Sequence, residues 1–104
     1  MFLHLSIHTP KPEYREQLIA SMNRVRLGAL GTRGLASIGP WREVDGGERV
    51  LGMALWESRA HWEAHVEEVF AVVADEPFEL WEAAPPTRIL LDDVGAMPGN
   101  PEEL

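Results

Sequence analysis

An α+β domain of order β-α-β-β-α-β is the fold this sequence predicts, and three stretches predict it. Phe2–Thr9 alternates along the chain with period two, the mark of a strand. Tyr14, Leu18, Met22 and Val25 recur at helical spacing and form one apolar stripe. Val50–His65 runs from a short apolar segment through Glu57 and Ser58 into a second helical period, with almost no loop between.

The first strand puts Leu3, Leu5 and Ile7 on one face and Phe2, His4, Ser6 and His8 on the other. The Leu-Leu-Ile row is expected to be core, and the mixed row to meet water or another protein layer. Pro10 and Pro12 end the strand and open a helix, since the first amides of a helix have no internal partner to lose. Glu13 suits the positive end of that helix. Gly28, Gly31 and Gly34 mark its end and the link onward. Leu35–Val44 is a weaker strand, and Pro40 within it demands a sheet edge or a bulge. Asp45-Gly46-Gly47-Glu48 is a hairpin turn leading into the strand Val50–Trp56.

Ser58 is a good N-cap for the second helix, because its hydroxyl can accept from a free amide of the first turn. Trp62, Val66, Val69, Phe70 and Val73 form that helix's stripe, with His65 at its margin and His61 further toward solvent. Phe78, Leu80 and Trp81 suggest a short extra turn, and Thr87–Val94 a last strand. Gly95–Leu104, rich in Gly, Pro, Asn and Glu, is expected to be a loose tail after a single domain over 1–94. This order is the split βαβ, or ferredoxin-like, arrangement. It places the first and third strands centrally, the others at the edges, and both helices on one sheet face. A third strand as apolar as Val50–Trp56 implies cover on its second face, as pairing in a homodimer would provide.

Composition narrows the function classes. A net charge of −8 argues against nucleic acid as a partner. Residues 1–44 carry a net +3 and the rest −11, which suits two helices of opposite sign and a solvated acidic tail. With no cysteine, thiolate metal sites and cysteine nucleophiles are excluded. No stretch has the pattern of a signal peptide or the length of a membrane span, so a cytoplasmic protein without a membrane partner is expected.

The series Leu55-Trp56-Glu57-Ser58, then Trp62 and Ala64-His65, resembles the antibiotic biosynthesis monooxygenase-like domains of the dimeric α+β barrel superfamily. Pro12–Tyr14 and Gly34-Leu35 are similar to that family's pattern too, and the resemblance spans about residues 1–94. It implies a homodimer with a pocket between helices and sheet for a small apolar or aromatic ligand. Families of this kind include cofactor-independent oxygenases, haem-degrading enzymes, isomerases and members without an assigned activity. The haem-degrading pattern of Asn, Trp and His would fall near Ile7, on His65 and near Asp75, and none matches. The expected activity is therefore a cofactor-independent monooxygenase of small aromatic or quinone-like molecules. The alternatives are a non-catalytic binding homodimer and an interaction module docking through its acidic tail.

For the oxygenase, a phenolic substrate must lose a proton, which needs a base or a stabiliser of the anion. His65 is the candidate base. Tyr14, Trp56, Trp62 and Arg88 are the candidate substrate-binding residues, with Phe70 assigned to core. His61 and His65 have a metal-chelating spacing, but Trp62 stands where a metalloprotease helix has Glu, and no metal is expected. His4 and His8 are expected to be ordinary polar groups of the dimer interface; were they instead to cluster with their mates across it, the dimer would weaken as pH falls through the histidine range. The sequence alone picks out no serine, histidine and acid arrangement.

Overall fold

A computed structural model describes residues 1–94; the tail expected over 95–104 lies outside them. The strands are β1 (Phe2–His8), β2 (Leu35–Arg42), β3 (Val50–Trp56) and β4 (Thr87–Asp92). They pair antiparallel in the order β2-β3-β1-β4, with the first and third strands central as expected. Pro40 lies in edge strand β2, in register with Gly52, and the strand's one register shift comes earlier, between Leu35 and Ser37. Among the described residues, no helix is long and apolar enough to cross a membrane.

The helices begin and end where their residues dictate. A 3-10 turn over Pro12–Tyr14 leads into α1 (Arg15–Ala29), which runs one turn beyond Val25. Ser58 caps α2 (Arg59–Phe70), its Oγ accepting from the His61 amide at 3.2 Å. The extra turn is α3 (Phe78–Trp81). At the hairpin tip Asp45 and Gly46 both take positive φ, 57° and 83°, which matches the right-handed twist of the flanking strands. Arg49 clamps the neck of that hairpin and holds the Glu43 carboxyl down at about 2, chiefly through its side-chain hydrogen bonds.

One expectation is reversed. The face of β1 that meets the helices carries Phe2, His4, Ser6 and His8, not Leu3, Leu5 and Ile7. Phe2 and His4 are buried, whereas the three aliphatic residues are only half-buried. Period-two alternation separates two faces but does not say which one the helices cover. Val25 and Ala29 of α1 and Val69 of α2 pack with Phe2, Ala54 and Trp56, while Leu18 packs with Val50 and Trp81. His4 and His8 are therefore not groups of the open face.

The open face is crossed by three rows of side chains: Ser37, Leu55, Leu3 and Leu91; Gly39, Met53, Leu5 and Ile89; Trp41, Leu51, Ile7 and Thr87. Most of these are aliphatic or aromatic. β3 is thus apolar on both faces, with helices on one side and this open surface on the other.

Candidate functional site

The inner face of the sheet is the floor of a cavity of about 1110 Å³ roofed by α1, α2 and the chain from Phe78 to Pro86. Its walls are apolar and aromatic: Met22, Ile38, Trp62, Phe70 and Phe78. A polar seam crosses the floor, built from His4, Ser6 and His8 of β1, Arg88 of β4 and Glu82. A few converging polar groups within apolar walls are what a small-molecule site requires.

β1 supplies its three polar side chains at alternate positions, so they stand in one line. Arg88 lies directly across from Ser6 in the β1–β4 register, and Gly52 lies across from it on β3. A methyl group on Gly52 would come within 2.6 Å of Ser6 Oγ, so the glycine makes room for the hydroxyl. Glu82 is brought in from afar. The Lys11 amide donates to the Trp81 carbonyl and the Ala83 amide to the Thr9 carbonyl. These bonds fasten the chain around Glu82 beside the end of β1, where Pro10 bridges it.

Two hydrogen-bonded chains result. In the first, Glu82 Oε1 lies 2.6 Å from His8 Nδ1, and His8 Nε2 lies 2.9 Å from Ser6 Oγ. Glu82 is buried and His8 nearly so. With Glu82 ionised, its oxygens only accept, so Nδ1 carries the hydrogen and Nε2 of the neutral ring accepts from the Ser6 hydroxyl.

In the second, Trp62 Nε1 approaches His4 Nδ1 at 3.2 Å and Arg88 Nε approaches His4 Nε2 at 3.0 Å. Both neighbours can only donate, whereas a neutral imidazole has one accepting nitrogen. Whichever tautomer His4 adopts, one N–H faces another. Either Trp62 or Arg88 is thus left without its acceptor on His4, and Arg88 makes no ion pair among the described residues. Its guanidinium also lies 5.9 Å from the Trp62 ring, which has Arg59 at 6.0 Å.

Burial, reinforced by the Arg88 charge, lowers His4 to about 4 from an ordinary 6.5. The unfolded chain therefore takes up this proton first as pH falls. The stabilisation from keeping His4 neutral is fully present above about pH 6.5 and is lost as pH falls toward 4. Between pH 7 and 4.5, urea unfolding is expected to show a loss that is smaller by roughly 2–3 kcal/mol in His4→Leu than in the wild type. Equal losses in the two proteins would refute this.

Of the residues singled out from the sequence, Trp62 and Arg88 come together on His4 and line the cavity. Phe70, assigned to core, forms cavity wall and is 39% exposed. Trp56 is buried beneath α2, and His65 stacks on its ring at 6.5 Å and 4°. Neither is among the residues lining the cavity, nor is Tyr14, which packs beside Leu18 and Trp81. His61 accompanies Ser58, with Nδ1 2.7 Å from its Oγ, and packs over the backbone of Gly34, where φ is +83° and a Cβ would strike the ring. Among the described residues no group of three or more His, Cys, Asp or Glu is placed to hold a metal.

His4, Ser6, His8 and Glu82 are the site residues that sequence reasoning missed. The signal available for three of them was His-x-Ser-x-His on one strand face; no local signal announced Glu82.

No family model matches the sequence, and no curated protein does. Solved structures share the fold. Rv0793 from Mycobacterium tuberculosis superposes with a TM-score of 0.76 at 14% identity, over 90% of this chain and 95% of its own. A candidate antibiotic biosynthesis monooxygenase from Nitrosomonas europaea gives 0.67 at 18% identity, over 91% and 100%. The heme-degrader MhuD of M. tuberculosis, solved with two hemes in its active site, gives 0.70 at 14% identity, over 94% and 100%. The ferredoxin-like fold of the antibiotic biosynthesis monooxygenase-like structures is thus the fold of this chain.

Proposed function

We propose that the protein is a homodimeric, cofactor-independent monooxygenase acting on a compact aromatic molecule with an acidic hydroxyl. The observation that carries this is Arg88: a cation beside the Trp62 ring that makes no ion pair among the described residues, with only its Nε engaged by His4. A phenolate oxygen would give its terminal nitrogens an anionic acceptor. The apolar ring would lie against Trp62, Phe70 and Phe78, which line the cavity with Arg88.

The Ser6–His8–Glu82 chain supplies the base. The substrate hydroxyl gives its proton to Ser6 Oγ as Ser6 passes its own to His8 Nε2, and the Glu82 carboxylate faces the imidazolium that forms. The electron-rich anion then reduces dioxygen. A ring CH2 becomes C=O, one oxygen atom enters the product and the other leaves as water. The substrate supplies all four electrons of that exchange. In this assignment the base is His8 rather than His65, which lies on Trp56.

Haem fits this cavity poorly. Both nitrogens of His4 face Trp62 and Arg88, both nitrogens of His8 face Glu82 and Ser6, and His65 stands elsewhere. The apolar rows of the open sheet face support a homodimer joined there.

A hydroxyanthrone tests the reading. It is expected to quench tryptophan fluorescence, consume dioxygen and yield the quinone. Arg88→Leu is expected to weaken its binding by ten- to a hundredfold, the worth of a hydrogen bond to a charged group. Binding without dioxygen uptake above the blank would leave a non-catalytic binding protein. Unchanged affinity in Arg88→Leu would remove Arg88 from the site.

A further inference from the structure

We propose that Ser6 is a nucleophile and that the cavity hydrolyses small carboxylic esters by way of an acyl-Ser6 intermediate. This goes beyond the oxygenase reading and needs neither dioxygen nor a phenol, so the two can fail separately.

The order of contacts carries it. The Ser6 hydroxyl meets His8 at Nε2, and the carboxylate of Glu82 meets the same ring at Nδ1. This is the relation that lets an imidazole take the proton of a serine while an acid holds its tautomer and balances its charge. The three residues converge from two distant parts of the chain, 74 positions apart. Oγ opens on the cavity, and Gly52 leaves it the space that any larger residue would fill.

An oxyanion partner stands on the same floor. Arg88 is the cross-strand neighbour of Ser6 in β4. Same-face neighbours of this kind have their Cβ atoms about 5 Å apart, within reach of a guanidinium. Only its Nε is engaged by His4. Its terminal nitrogens can donate to the carbonyl oxygen as it gains charge. Backbone amides of β1 cannot do so, since they belong to the sheet.

The step balances without a redox partner. Oγ attacks the ester carbonyl as His8 Nε2 takes the hydroxyl proton. The bond from the carbonyl carbon to the alcohol oxygen breaks, and His8 returns the proton to the leaving alcohol. Water then attacks the acyl group, again giving its proton to His8, and the acid leaves as Ser6 recovers its hydrogen. The cavity walls select an ester with an apolar or aromatic acyl part.

The full chain is treated with a fluorophosphonate, and separately with 4-nitrophenyl acetate, and digested for mass spectrometry. The expected result is one phosphonyl group per chain on the Ser6 peptide and a burst of one nitrophenolate per chain. Labelling is expected to vanish in Ser6→Ala and to slow at least fiftyfold in His8→Gln. Gly52→Ala, which keeps all three residues but crowds Oγ, is expected to slow labelling with its far-ultraviolet circular dichroism unchanged. An unlabelled wild type, or an adduct that persists in Ser6→Ala, overturns the proposal.

Discussion

Met53→Asp is expected to convert the proposed dimer of twice 11.6 kDa into a monomer of 11.6 kDa by light scattering at micromolar concentration. Met53 lies at the middle of the open sheet face, opposite Leu5 of β1 and in one row with Ile89 of β4. Leu51 and Leu55 flank it on the same strand and face. Pairing two such faces places each Met53 among aliphatic side chains of both copies. A carboxylate there loses its water without gaining a partner, at a cost of several kcal/mol per buried ion. In the monomer the same side chain stays in water, so the cost falls on association and spares the fold. Leu30→Asp is the control: this residue is exposed at the end of α1, away from that face, and the substitution is expected to leave the mass of the dimer unchanged. A wild-type monomer would sink the homodimer, and a dimeric Met53→Asp would put its interface elsewhere.

Glu82→Gln is expected to slow acylation of Ser6 by roughly 10²–10⁴-fold, the range ascribed to a positioned proton-transfer group. Glutamine can still accept from His8 Nδ1 through its oxygen, so the ring stays oriented. It brings no negative charge, and the imidazolium formed as Ser6 reacts loses its counterpart. The change should appear in the burst rate with 4-nitrophenyl acetate more than in the binding of ester. Glu82→Leu goes further, leaving the nearly buried Nδ1 without an acceptor. Urea unfolding should then reveal a loss of about 1–3 kcal/mol. If Glu82→Gln acylates at the wild-type rate, the carboxylate only fastens the chain end, and the relay fails.

Much of the fold was legible in the sequence because its cues are local. Ser58 before a helical period, Asp45-Gly46 between two strands, and Pro40 in an edge strand each carry their own steric reason. The site was less legible, for two reasons. The alternation of β1 has a parity but no sign, and an aliphatic row of three suggested core where the helices in fact cover the histidines. Buried polar groups satisfied by one another do not betray themselves in composition. Glu82 looked like one acid among seventeen, and only the bridge to Pro10 brings it to His8. The sequence offers Trp62 and Arg88 as ligand-binding candidates, and the structure brings them together. Helical spacing puts His65 at a stripe margin, and the ring of Trp56 occupies it there.

β1 is a strand with two occupations, one for each parity of residue number. Its even positions face the helices and the cavity, and its odd positions belong to the surface where a second copy would dock. A single-residue insertion near Leu3 would exchange these roles beyond that point, sending aliphatic side chains into the cavity and imidazoles to the outside. Point substitutions can adjust either occupation separately, but no change of length within this strand can. Drift in this protein should therefore proceed by replacement along β1 and by insertion only at the loops, and any descendant that keeps one face will have inherited the other with it.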